Sequence, residues 1–204
     1  MNLLITKDEK DDSLGTFFEK CAAIALSLFK DSANIEVLSS QKLKNNVIFS
    51  MTVNNTSFKP FNFFAFTHGN EDGLISDNQN YAGCDKDRSC WENANIVYNY
   101  SCLSGCLFGK FVVENGAKSF VGHNKTIFIL TRPPYINYFY NPLITFLTSL
   151  AGNESVGTCV KILKAKYTEE IDELYLTDMF TASILIENRD SLVCYGDTNT
   201  KIVK

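Results

Sequence analysis

Phe61-Asn62-Phe63-Phe64-Ala65-Phe66-Thr67 runs apolar and aromatic into His68-Gly69. Ala94-Asn95-Ile96-Val97-Tyr98-Asn99-Tyr100-Ser101 runs the same way into Cys102-Leu103-Ser104-Gly105. Each run is short, aromatic and β-branched, so each reads as a buried strand. An imidazole and a thiol at the ends of two neighbouring strands of one sheet can meet in space. The crevice at the carboxyl ends of parallel strands is where open α/β sheets hold their chemistry. The two runs predict an α/β fold with a mostly parallel central sheet flanked by helices. They also single out His68 as a base and Cys102 as a nucleophile.

Working outward, Leu3-Leu4-Ile5 reads as a short first strand or a loose start. From Ser13 to Lys30, Phe17, Cys21, Ile24 and Leu28 recur at helical spacing, with Asp11, Asp12 and Ser13 as cap candidates. Asn34 to Leu38 and Val47 to Val53 read as strands, the latter closed by Asn54-Asn55. Residues 69–93 are polar, and a connection of that length is functional or hides a hairpin or helix, with Leu74-Ile75 as a short arm. Gly105 to Asn115 reads as a helix stopped by Gly116, followed by a strand over Ala117 to Gly122. Strand, helix and strand in that order predict a parallel βαβ unit. Further helices are predicted over 142–150, 155–174 and 177–187, and a last strand over 191–195. The length of 204 residues predicts one domain, 1–204, with enough chain for a full core.

A net charge of -4 argues against nucleic acid as the main partner, because phosphate binding needs a clustered basic surface. No run of apolar residues is long enough to span a membrane. Met1 to Asp12 turns acidic too soon for a signal peptide, which predicts a cytoplasmic location. Reduced thiols are expected for the seven cysteines, and Cys21, Cys159 and Cys194 sit in apolar patterns as inert core thiols. Cys84/Cys90 and Cys102/Cys106 lack the tight knuckle spacing of a structural zinc site, so no metal centre is predicted.

The blocks Phe63-Phe64-Ala65-Phe66-Thr67-His68-Gly69, Val97-Tyr98-Asn99-Tyr100-Ser101-Cys102-Leu103-Ser104-Gly105, Leu107-Phe108-Gly109 and Gly116-Ala117-Lys118-Ser119-Phe120-Val121-Gly122 resemble the caspase-like (clan CD) cysteine peptidases. With Leu192-Val193-Cys194-Tyr195-Gly196-Asp197, they are most similar to the bacterial CHAT and gingipain branches. The resemblance covers about residues 34–197. It lacks the Gln-Ala-Cys-x-Gly of the caspase branch and an acidic linker between subunits, so caspase-style processing is not implied. It implies a three-layer caspase-haemoglobinase-like fold and a cysteine endopeptidase acting through a Cys102/His68 dyad. The backbone N–H groups of Gly69 and Cys102 would form the oxyanion hole. It also implies a protein or peptide substrate, a regulatory or activating protein partner, and a role as an effector in anti-phage defence.

The chemistry fits those residue types. A thiol near its free pKa is only slightly ionised at neutral pH, and an adjacent histidine takes its proton as attack occurs. Placed just before a helix, Cys102 would also feel the helix dipole, whereas Cys106 would sit one turn inside. His123 reads as a loop histidine near the same crevice or within it. Glu36 is a candidate carboxylate for a basic substrate side chain. Asp72, Asp77, Asp85 and Asp87 are loop carboxylates for the same role, for calcium, or for a solvated loop. Arg132 lies in a stretch, 116–153, without Asp or Glu, and is a candidate for an acidic side chain. Trp91 is a candidate for packing on substrate. The balance leans toward cleavage after a basic residue, as in most bacterial relatives. Two other readings remain open: a catalytically silent scaffold binding a partner peptide by strand addition, and an α/β module binding an anion at a helix N-terminus.

Overall fold

The run that reads as a loose start forms a central strand. In the computed structural model, which describes residues 1–44 and 46–202, β1 (Asn2–Lys7) pairs in parallel with β2 (Asn34–Leu38) on one side and β3 (Phe61–Phe66) on the other. β3 pairs with β7 (Ala94–Asn99), and β7 with β8 (Ser119–His123), again in parallel. β9 (Leu192–Gly196) closes the sheet as an antiparallel edge strand on β8. The strand order is β2-β1-β3-β7-β8-β9. The chain moves outward to β2, then crosses back over β1 to reach β3. The order therefore reverses between β1 and β3, where open α/β sheets leave a crevice beyond the strand ends.

Helices cover both faces because side chains alternate along each strand. Leu3, Ile5, Phe64, Phe66, Tyr98 and Val121 point into one core with α1 (Gly15–Phe29), α4 (Asn137–Ala151), α5 (Val156–Leu174) and α6 (Met179–Asp190). Leu4, Phe63, Ala65, Val97 and Phe120 point into the other, with α2 (Val47–Thr52) and α3 (Phe108–Glu114). Aromatic pairs fill the first core, including Tyr98 on Phe146 at 4.6 Å and Phe17 stacked on Tyr140 at 5.0 Å.

Two local expectations change, and the hairpin expected in the polar stretch forms. Val47 to Val53 is the helix α2 rather than a strand, because the crossover from β2 to β3 buries Ile48 and Thr52, one helical turn apart, against the second core. A short apolar run satisfies either period. The polar stretch after His68 folds into a small antiparallel sheet of β4 (His68–Asn70), β5 (Gly73–Ser76) and β6 (Gln79–Gly83), with a 3-10 turn at Arg88–Trp91. The helix expected from Gly105 begins at Phe108.

Candidate active site

Register brings the two signal residues to one level. Ala65 on β3 pairs with Asn99 on β7, and His68 and Cys102 each lie three residues further on. Tyr100 N–H donates to the Ala65 carbonyl at 2.9 Å and carries the pairing past the strand end. Gly69 then packs directly on the Cys102 loop. A Cβ at position 69 would lie 2.6 Å from the Cys102 carbonyl oxygen and 2.9 Å from Ser101 Cβ, so only glycine permits this approach.

No hydrogen bond joins the imidazole to the thiol in this conformation. His68 Nε2 lies 3.0 Å from Asp11 Oδ2, with the ring edge-on to Phe18 at 5.3 Å. A carboxylate only accepts, so Nε2 carries the proton, and the lone pair of the neutral ring lies on Nδ1. Asp11 is itself anchored: its Oδ1 accepts from Ser13 N–H at 3.0 Å, Ser13 Oγ at 2.7 Å and Leu14 N–H at 2.7 Å. Burial pushes the Asp11 carboxyl up, but these donors and His68 outweigh it and bring it down to about 2.

Cys102 faces the segment after β8. Its sulfur accepts from Ile127 N–H at 3.4 Å and donates to the Ile127 carbonyl at 3.7 Å. Burial pushes the thiol up, and the Ile127 hydrogen bond offsets only part of that. Leu103 follows in the left-handed region at φ 57°, an uncommon conformation for a branched residue, of the kind that clusters at functional turns. The chain then doubles back: Leu103 N–H donates to Lys125, Gly105 N–H to His123, and Cys106 Sγ to Asn124 at 3.2 Å. Helix α3 starts six residues after Cys102, and the Leu107 and Phe108 N–H groups at its start donate to the Glu71 carbonyl. The expected dipole assistance to Cys102 is therefore absent. Cys106 lies in the turns before the helix rather than inside it.

A cleft of about 800 Å³ opens beside His68 and Gly69. It lies at the carboxyl ends of β1 and β3, where the strand order reverses. Asp8, Asp11, Asp12 and Asp77 border it, with Lys10 as the one bordering cation among the described residues. The candidate substrate residues lie elsewhere. Glu36 is exposed on edge strand β2 and pairs in register with Leu4, short of the strand ends. Asp72 is exposed in the β4–β5 turn, where its backbone carbonyl accepts from Cys84. Arg132 is exposed in the segment before α4. Trp91, read as a substrate contact, is instead a core side chain, 1 % exposed and packed on Phe63 and Phe108. Asp85 pairs with Lys86, and Asp87 caps the 3-10 turn through Ser89. Among the described residues no group of three or more His, Cys, Asp or Glu is placed to hold a metal ion. All seven cysteines are free thiols.

The carboxylates that do border the cleft went unread, apart from Asp77. In the sequence Asp8 reads only as part of an acidic start, and Asp11 and Asp12 as helix-cap candidates. Their signal is their position directly after a strand that proves central.

His123 is neither a loop residue nor part of the crevice. It lies on β8, fully buried, with Nδ1 2.8 Å from Ser191 Oγ and Nε2 without a partner. Burial pushes it down to about 3. The unfolded chain binds this proton near pH 6.5 and the folded chain does not, so stability is lost as pH falls from about 6.5 toward 3. The urea midpoint is expected to drop less steeply between pH 7 and 4.5 in His123→Gln than in the natural chain.

No protein-family model matches the chain, and no curated protein matches it. Two solved structures are similar to it in fold. One is an inactive zymogen C11 protease from Parabacteroides distasonis, 10 % identical with a TM-score of 0.45, the match covering 62 % of this chain and 49 % of that one. The other is a secreted C11 cysteine protease from Bacteroides thetaiotaomicron in complex with an irreversible peptide inhibitor, 10 % identical with a TM-score of 0.43, covering 92 % and 57 %. The chain thus spans about half the length of these two proteins. Among the described residues no helix is long and apolar enough to cross a membrane.

Proposed function

We propose that the chain is a caspase-like cysteine endopeptidase in which Cys102 attacks the substrate carbonyl and His68 moves the proton. The observation that carries this reading is the packing of Gly69 on the Cys102 backbone, which sets the base-bearing and thiol-bearing strand ends side by side. Burial keeps the resting thiol protonated, so the proton must leave during attack. His68 Nδ1 takes it and later delivers it to the leaving amine. The tetrahedral oxyanion finds two backbone donors, Gly69 N–H and Cys102 N–H, the latter making no backbone hydrogen bond among the described residues. The acidic cleft supports cleavage after a basic residue, with its own aspartates in place of Glu36.

Asp11 serves as the positioning carboxylate for His68. Asp11→Asn is expected to lower kcat/KM by about 10²-fold, with the loss in kcat and KM little changed, because His68 loses its orienting partner and substrate binding does not. A merely structural role would lower the folded fraction and leave kcat per folded enzyme in place.

The contacts of Cys102 to Ile127 favour a second reading, a scaffold that binds a peptide without cleaving it. In the peptidase reading the same strap gives an activating protein something to displace. That suits a regulated cytoplasmic effector, including one in anti-phage defence. A fluorogenic peptide panel separates the readings. Amide hydrolysis after Arg or Lys, blocked by thiol alkylation, is the expected result. Binding of those peptides without hydrolysis, with the strap displaced by a partner or not, favours the scaffold.

A further inference from the structure

The acidic cleft holds more negative charge than one basic side chain needs, and it holds it at two depths. At its floor Asp8 is only 5 % exposed, yet its carboxylate takes no hydrogen bond or ion pair from any described residue. Carboxylates are seldom buried without a partner, because desolvation is costly unless a counter-charge compensates. Ser76 borders the same cleft, is 1 % exposed, and its Oγ has no hydrogen-bond partner. A buried hydroxyl left unpaired is likewise exceptional. At the rim, Asp12 and Asp77 are exposed, while Asp11 between the two levels is engaged by His68. The volume of about 800 Å³ is that of a site for a whole small ligand rather than one side chain. Four aspartates border the cleft against one lysine among the described residues, Lys10, so a ligand that brings positive charge fits it.

We propose that this cleft binds two neighbouring cationic side chains of a peptide. One ammonium or guanidinium group sits on Asp8 and Ser76 at the floor, and the second on Asp12 and Asp77 at the rim. The cleft thereby selects paired basic residues. This rests on the peptidase reading for its biological meaning but not for its test.

The test uses Cys102→Ala protein, which cannot turn substrate over, and end-blocked peptides carrying Arg-Arg or Arg-Ala in an otherwise neutral sequence, titrated by calorimetry at low salt. Arg-Arg is expected to bind about tenfold tighter than Arg-Ala, the worth of one charged hydrogen-bonding contact. The gain should shrink as salt rises. Asp8→Asn should weaken both peptides, and Asp12→Asn with Asp77→Asn should erase only the Arg-Arg gain. The exposed pair provides a test should the buried Asp8→Asn protein fail to fold, since asparagine tolerates the left-handed backbone of Asp77 at φ 51°. Equal affinity for the two peptides, or a gain that survives loss of both rim carboxylates, overturns the proposal. Absence of hydrolysis by the natural chain with this binding pattern intact would remove the peptidase reading and leave the cleft assignment standing.

Discussion

Cys102→Ala is expected to lower amide hydrolysis by about 10⁴-fold or more, while Cys106→Ala leaves it within about threefold. The two thiols stand four residues apart, and the sequence favours Cys102 because it closes the strand run. Geometry separates them. Cys102 lies level with His68 across paired strands, and its backbone touches Gly69. Cys106 is turned onto the Asn124 carbonyl, and burial and the neighbouring Glu71 both push its thiol up. Neither substitution should unfold the chain, since both side chains are partly exposed. Comparing initial rates at matched, folded enzyme concentration checks the pair. A Cys106→Ala protein that loses activity as Cys102→Ala does would transfer the nucleophile to the wrong side of the turn for this mechanism.

Gly69→Ala is expected to lower kcat/KM by about 10²–10³-fold, the usual worth of one oxyanion donor. The added methyl meets the Cys102 carbonyl, Ser101 Cβ and, at 3.3 Å, the Gly73 carbonyl. Two of these neighbours are backbone, so relief requires β4 to move away from the Cys102 loop. That displaces the donor N–H and costs stability as well, about 1–3 kcal/mol for an overpacked contact. Steady-state kinetics and urea unfolding on one preparation measure both effects. Unchanged kinetics would mean that the close approach of these loops is packing without catalytic consequence.

Much of the sheet was legible because burial on both faces leaves a simple mark. Phe61 to Phe66 and Ala94 to Asn99 are apolar almost throughout, and they are the two innermost strands bearing the signal residues. The βαβ unit around α3 and the three C-terminal helices followed from spacing and from Gly116. The misses share a cause. Val47 to Thr52 carries a β-branched run whose fate depended on which strand the crossover had to pass. His123 looked terminal because its antiparallel partner, Leu192, lies far along the chain. The cleft was hidden for the same reason. Asp8 and Asp77 come from loops that meet only because β1 inserts between β2 and β3, and no local pattern encodes that order.

Reaction with an arginine-terminated peptide bearing an acyloxymethyl ketone, followed by mass-spectrometric mapping of the adduct, asks whether sulfur and imidazole work together in one cleft. A single adduct on Cys102 is expected, forming at least about 10²-fold more slowly in His68→Ala, the usual worth of a general base. An adduct on Cys84 or Cys106, or a Cys102 adduct that forms at the same rate without His68, would contradict it.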